Sequence, residues 1–586
     1  MRVASVFRVK VLFTIAICVF LVSVIWVGYT ALQAQYELNK IKLEAVAFQN
    51  NSTEYDAEQL ADLIKEARTR ASAAHESTSG FAWWLITKVP YLGHTPTAVQ
   101  TVTRNLNATL ENSAEIEQVL RESNQSKSEL LDASLVAKLL AASSGVKESI
   151  HNGATQFSEL NYSGVPGFIA VPVRQIGSGF QNLDPIAKDG VTFAKIAPVL
   201  LGLDKPRTWM LVFLNGAEAR ATGGFPGGWG LLQASRGNLK LSALHNDVHI
   251  NRRALKGWQR FVSTEQANFY GDDLSRWSDL GLSPDFPTTA KLMTALLQQN
   301  EGLHVDGVFS FNEHALAQML VAAGPIQQKG HTLTSENVAD YVTKDIYSDY
   351  RDPQQKNVAI LQIIQQTFDQ LSAGRGGPLG IFQALVPSVA SGNVQLWSSN
   401  PTTQSVLAST KAGNTQSDLE NPTHSVALVN GAGNKIDAYI ATDVKYTQGI
   451  CLTDVPYRNS YFRIDLTNQA PKSGLPSYVI PRSDLEPNSK KNPGSTRMLV
   501  YVHVPLGSTL NEALLNNRST QLVSSGEDSG RQVWRFDVEN EAQTESTLFV
   551  SFNEPAIGNE PTPSIWTQSM PIKVTSEVTI GPRCVR

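Results

Sequence analysis

The sequence predicts a multidomain α+β protein. Its expected parts are one N-terminal transmembrane helix, a helical stalk or bundle, a central α/β domain and a C-terminal β-sandwich. Three observations carry that prediction. Val11 to Thr30 is an uncharged run, apolar residues between Ala31 and Leu160 recur at helical spacing, and later strand-like runs first alternate with helical stripes and then stand alone.

A chain of 586 residues exceeds one ordinary core, so two or three folded units are expected. With 42% hydrophobic and 17% charged residues it reads as globular. A formal net charge of -4 excludes a broadly basic nucleic-acid binder, and no nucleic-acid partner is expected.

Residues 1–10 are expected to be cytoplasmic and 11–30 to span the membrane. Arg2, Arg8 and Lys10 precede the uncharged run, and Trp26 and Tyr29 fall where an outer aromatic belt would lie. A cleaved signal peptide would have a shorter apolar region, and no good A-x-A site follows the run. The rest of the chain is therefore expected outside the cytoplasm, with the membrane as a partner through this single anchor. Cys18 reads as a small apolar residue of that segment. Cys451 and Cys584 are the remaining pair, and a disulfide returning the C-terminus to its domain is plausible for an exported chain.

Residues 31–160 read as a stalk or bundle. Leu32, Tyr36, Asn39 and Leu43 step by four and three, as do Leu60, Ile64, Ala67 and Ala71, with Asp56 as a cap. Phe81, Trp83 and Trp84 could touch a membrane surface, but packing between helices is favoured for them. Gly and Pro make 161–203 a connecting segment. The central domain is placed at 204–390. "WMLVFL" (Trp209 to Leu214) reads as a buried strand, "WGLLQAS" and "LKLSALH" as a hairpin, and "VDGVFSF" as another strand. Its helices are marked by Pro287, by the Gly324-Pro325 stop and by Asp352-Pro353 at a helix start. A polar stretch at 391–422 reads as a linker. At 423–586, short alternating runs such as "RMLVYVHVPLG" and "STLFVSFN" predict the sandwich.

The candidate chemistry lies in "LNGAEARATGGFPGGWGLL" (Leu214 to Leu232). Gly223 and Gly224 allow a tight turn or a backbone-lined anion site, and the turn is favoured. No G-K-[ST] follows, so it is not a P-loop. Glu218 and Arg220, two apart, can face one cavity, or simply pair with each other. "HNDVHINRR" adds Asp247, Arg252 and Arg253, and "DYRDPQQK" adds Arg351 and Lys356 at a helix start. Guanidinium pairs and free helix N–H groups both suit phosphate, whereas a solvated loop and a capped helix explain the same residues without a ligand. H-E-x-x-H and G-x-S-x-G are missing, which sets aside the corresponding hydrolases.

"NGAEARATGGFPGGWGLL", with "SPDFPTTA", "VDGVFSFNEHALAQMLVAAGPI" and "LTSENVADYV", resembles the uncharacterised actinobacterial membrane family catalogued as domain of unknown function 4012. The order of the last two strings, followed by "DYRDPQQKNVAILQII", is similar to LytR-CpsA-Psr proteins. That resemblance implies a LytR-CpsA-Psr-like central fold. It also implies transfer of a glycopolymer from a polyprenyl-pyrophosphate carrier to peptidoglycan, with a divalent metal such as Mg2+. Carried over by position, Arg220, Arg252 or Arg253, and Arg351 with Lys356 would bind phosphate. Glu218 or Asp247 would replace the family's acidic ligand, since Ala221-Thr222 stands where its R-S-D would be. Two functions are thus expected: a phosphotransferase handling a pyrophosphate-linked envelope glycopolymer or its lipid carrier, or a non-catalytic envelope scaffold or glycan-binding protein.

Overall fold

Residues 26–44 form the first extended described helix, α1, in a computed structural model that describes residues 23, 26–44, 57–90, 92–125, 133–242, 244–372, 384, 387–416, 423–453, 455–486, 494–556 and 562–584. The expected transmembrane helix is not supported. Among the described residues no helix is long and apolar enough to cross a membrane. Most of the expected span, and all of residues 1–10, lie outside the described residues. Its described end continues into α1, which carries Glu37, Lys40, Lys42 and Glu44.

The chain divides into two units, Met1–Pro198 and Val199–Arg586. The first is helical: α2 (Ala57–Thr78), α3 (Phe81–Thr87), α4 (His94–Glu111), α5 (Ala114–Gln125), α6 (Ala133–Ser158) and α7 (Gly167–Leu200), whose last residues belong to the second unit. The expected stripe Leu32, Tyr36 and Leu43 of α1 is exposed, and Ala34 is buried instead. The buried face is offset by two positions, where Thr30 accepts the Trp83 indole N–H at 2.8 Å. Trp83 is buried as a packing residue, while its neighbours Phe81 and Trp84 are exposed. Asp56, the expected cap of α2, lies outside the described residues.

The expected connecting segment at 161–203 is mostly α7, despite Pro172, Pro185 and Pro198 within it. Ile169, Val173, Ile176 and Phe180 form its apolar stripe, and they pack on Ile150 and Phe157 of α6. Burial of that stripe outweighs the backbone donors lost to proline. The approach is close: a Cβ on Gly153 would lie 2.4 Å from the Phe180 ring, and one on Gly177 would lie 3.0 Å from Phe157.

In the second unit a mixed sheet runs β3-β2-β1-β5-β8, with β4 also paired to β2. Its strands are β1 (Arg207–Asn215), β2 (Phe225–Ser235), β3 (Asn238–Leu241), β4 (His245–Asn246), β5 (Gly307–Asn312) and β8 (Val394–Ser398); β6 (Ile326–Gln328) and β7 (His331–Leu333) make a separate hairpin. Central β1 is antiparallel to β2 and parallel to β5, with Leu211 opposite Gly230 and Phe309. Parallel pairing needs a crossover, and α8 (Phe286–Glu301) lies within it. Asp285 caps α8 by accepting the Thr288 N–H at 3.1 Å. Asn312 caps α9 (Glu313–Ala323), which stops at Gly324 with φ 80°. Next comes α10 (Pro353–Ser372), where Asp352 accepts the Gln354 N–H at 2.9 Å. The expected linker at 391–422 holds β8 and α11 (Pro401–Ala408), because "VQLWS" buries every side chain against β5.

The C-terminal part is two facing sheets. One runs β14-β13-β17-β11-β10-β19 and the other β15-β16-β12-β9-β18. The strands are β9 (Thr423–Asn430), β10 (Ile440–Thr447), β11 (Tyr457–Asn468), β12 (Thr496–Pro505), β13 (Thr509–Leu515), β14 (Arg518–Ser519), β15 (Ser524–Asp528), β16 (Arg531–Asn540), β17 (Thr544–Pro555), β18 (Ser564–Thr567) and β19 (Thr575–Thr579). Strand β10 alternates, with Val444 and Tyr446 facing the other sheet. Strand β9 is buried throughout. Its Val426 and Leu428 fill the sandwich, whereas Ala427 and Val429 join the core of the central domain with Tyr501 and Trp277. Two-sided burial therefore fuses sandwich and central domain into one body.

Cys451 and Cys584 are disulfide-bonded, with Cα atoms 5.5 Å apart and 133 positions of chain between them. Closing so long a loop restricts the unfolded chain, so reduction should lower the unfolding free energy by roughly 3–5 kcal/mol. Urea melts with and without dithiothreitol, beside a Cys451→Ser/Cys584→Ser variant, measure the loss. A variant as stable as the oxidised protein would refute it.

Candidate functional site

The site is built on the turn between β1 and β2. Asn215 ends β1, and its side-chain oxygen accepts the Ala217 N–H at 2.9 Å, folding the chain back. Gly223 and Gly224 have φ of 108° and 155°, and a Cβ on Gly224 would lie 2.7 Å from the Asn215 carbonyl carbon. They serve the turn and are not in the cavity lining. Phe225 then donates its N–H to the Glu218 carbonyl at 2.9 Å, closing the loop.

The sandwich grips this loop from outside the central domain. Asp437 accepts the Ala219 N–H at 2.7 Å, and its own N–H donates to the Ala217 carbonyl at 3.1 Å. Asn430 donates its backbone N–H to the Ala219 carbonyl at 3.0 Å and its amide to Asp437 at 2.8 Å. Burial raises the Asp437 carboxyl to about 7, against the pull of these donors. Its second oxygen is buried without a hydrogen-bond partner.

Glu218 and Arg220 meet, as their spacing allows. Arg220 donates Nη2–H to Glu218 Oε1 at 2.8 Å, Nε–H to the Ser278 carbonyl at 2.9 Å and Nη1–H to the Ala219 carbonyl at 2.9 Å. Its guanidinium lies 5.4 Å from the Phe225 ring centroid and 3.7 Å from Asp279. Arg220 is only 5% exposed and lies outside the cavity lining, so it holds the loop. Glu218 Oε2 accepts from Lys435 Nζ at 3.1 Å. Burial works to raise the Glu218 carboxyl, but the Arg220 and Lys435 charges outweigh it and hold it below its ordinary value.

Behind this pair lies a cavity of about 180 Å³. Glu218, Asp247, Lys356 and Lys435 supply its charges, and Phe213, Phe225, Tyr347 and Ile360 its aromatic and apolar walls. Asp247 opens the short helix Asp247–Ile250 after the cap Asn246, and burial raises its carboxyl. Lys356 comes from the first turn of α10. It is 6% exposed, and its Nζ sits 5.3 Å from the Tyr347 ring centroid. Among the described residues its ammonium has no hydrogen bond or ion pair, while its backbone N–H donates to the Asp352 carbonyl at 3.0 Å. Burial, aided by the nearby Lys435 charge, lowers it to about 8.

The predicted phosphate clamp does not assemble. Arg252, Arg253 and Arg351 are exposed and outside the cavity lining, because the short helix and the start of α10 turn them to solvent. Of the predicted residues, Glu218, Asp247 and Lys356 share the cavity, and Arg220 sits behind it. Lys435, Tyr347 and Asp437 were not predicted. Lys435 sits in the "NGAGNK" turn, 217 positions from Glu218, and no local pattern links them.

The donor set does not suit the divalent metal implied by the resemblance. Both Glu218 oxygens are taken by cationic donors, which leaves Asp247 as the only other carboxylate in the lining, beside two lysines. Among the described residues no cluster of three or more His, Cys, Asp or Glu is placed to hold a metal ion.

No curated protein and no solved structure matches the chain. Residues 204–347, which contain the loop, Asp247 and Tyr347 but not Lys356 or Lys435, match the model of an uncharacterised family described as "Protein of unknown function (DUF4012)".

Proposed function

We propose that this chain is an extracytoplasmic envelope protein that binds an anionic group of a glycopolymer, or of its lipid-linked carrier, in the cavity between its central domain and its sandwich. The observation that carries this reading is Lys356. Its side chain is buried and its ammonium opens on the cavity with only the Tyr347 ring face beside it, a costly arrangement that an anionic ligand would relieve by supplying a charged partner. The Cys451–Cys584 disulfide supports an oxidising compartment. Binding is favoured over LytR-CpsA-Psr-like transfer to peptidoglycan. Transfer of a pyrophosphate-linked polymer needs several positive charges on the leaving group, and Arg252, Arg253 and Arg351 lie in solvent.

Titrating acetate and dimethyl phosphate, each singly charged throughout the pH range, into the full chain by calorimetry tests this. Saturable binding is expected, weakened at least tenfold in Lys356→Met. That variant should stay folded, because it removes a buried charge rather than stranding one. Affinity should also fall as pH rises through about 8, where Lys356 loses its proton. Heat evolution equal in both proteins, or none in either, would refute the proposal.

A further inference from the structure

The cavity also carries information about its ligand, resting on the reading just given. We infer that it selects an oxyanion bearing a single negative charge, a carboxylate or a phosphodiester, over a multiply charged pyrophosphate.

Three cations lie there: Lys356, Lys435 and Arg220. Lys435 and Arg220 are both spent on Glu218, with N···O distances of 3.1 and 2.8 Å, and Arg220 also faces Asp279 at 3.7 Å. Of the three, Lys356 alone has no ion pair among the described residues, and it shares the lining with the Asp247 carboxyl. With Glu218, Asp247 and Asp279 all ionised, the cluster is neutral. With a proton on Asp247, it carries one positive charge. Asp437, whose Oδ2 holds the Ala219 N–H, can only add negative charge, and burial keeps the Tyr347 hydroxyl neutral.

A singly charged ligand therefore meets one matching ammonium. Burial raises the Asp247 carboxyl, so a proton taken up there would turn it into a hydrogen-bond donor toward the ligand. A second ligand charge would find no cation and would face Glu218 and Asp247 across a small cavity of low dielectric constant. The walls of Phe213, Phe225 and Ile360 suit an apolar stem next to the charged head.

Calorimetry on the full chain compares acetate, dimethyl phosphate and pyrophosphate at one ionic strength. Acetate or dimethyl phosphate should bind at least tenfold more tightly than pyrophosphate, and their order tells the carboxylate source from the phosphodiester source. Asp247→Asn adds one unit of positive charge at constant shape. It should strengthen singly charged ligands by about tenfold and pyrophosphate by more, because the Coulomb gain scales with ligand charge. Tightest binding of pyrophosphate by the unaltered protein would overturn this inference and leave the anion-binding proposal standing. An unchanged ligand order and spacing in Asp247→Asn would also overturn it. Binding of none of the three anions would remove the proposal itself.

Discussion

Arg220→Ala should lower the unfolding free energy by roughly 3–5 kcal/mol, the cost of breaking a buried ion pair from one side. Each of its three nitrogens donates once, to Glu218, the Ser278 carbonyl and the Ala219 carbonyl, so the guanidinium ties the loop both to itself and to the helical segment beside it. Truncation leaves Glu218 with Lys435 as its one remaining cation and strips both carbonyls of a charged donor. Arg220→Lys should fall between the two, because an ammonium cannot reach three acceptors fixed to the fork of a guanidinium. Denaturant melts measure the order. A loss under 1 kcal/mol for the alanine variant would show that the pair is solvated and that Arg220 does not organise the loop.

Asp437 should give the protein a pH-dependent stability that Asp437→Asn abolishes. Burial raises its carboxyl from an ordinary value near 3.8 to about 7 in the folded chain. The folded chain thus binds the extra proton between those values. Asp437's contribution is therefore fully present below about pH 4, declines as pH rises, and is lost above about pH 7. The span corresponds to roughly 4 kcal/mol. An asparagine keeps an acceptor for the Ala219 N–H and has nothing to ionise. The variant should therefore show the shallower decline from pH 5 to pH 8 and be the more stable protein at pH 8. Urea midpoints of both proteins at the two pH values test this. Parallel declines would mean that water reaches Asp437. The effect bears on the site, because the same carboxyl holds the peptide between Glu218 and Arg220.

Some elements were legible because their cause is local. "WMLVFL" lies within β1, Gly324 ends α9 and Asp352 caps α10, each set by neighbours a few positions away. The close spacing of Glu218 and Arg220 likewise allowed their contact as one of two readings. Elsewhere local signals misled. Gly and Pro suggested a connector at 161–203, but the stripe from Ile169 to Phe180 is itself periodic, and α6 buries it. The polar stretch after Ser391 hid β8, whose short apolar run becomes a strand only because β5 offers it an edge. The transmembrane expectation rested on an uncharged run, most of which lies outside the described residues, and the described helices do not support it.

Composition and short-range pattern decided on their own that this is a chain of mixed helices and sheets, and which residues near the β1–β2 turn carry charge. Hydrophobic periodicity and capping act within one or two turns of chain, so one strand of text contains them. Only tertiary structure decided which charges meet. It sent Arg252, Arg253 and Arg351 to water, spent Arg220 inside the loop, and brought Lys435 from 217 positions away to Glu218. Coulomb energy and burial depend on distance in space, which the order of residues along a chain does not record.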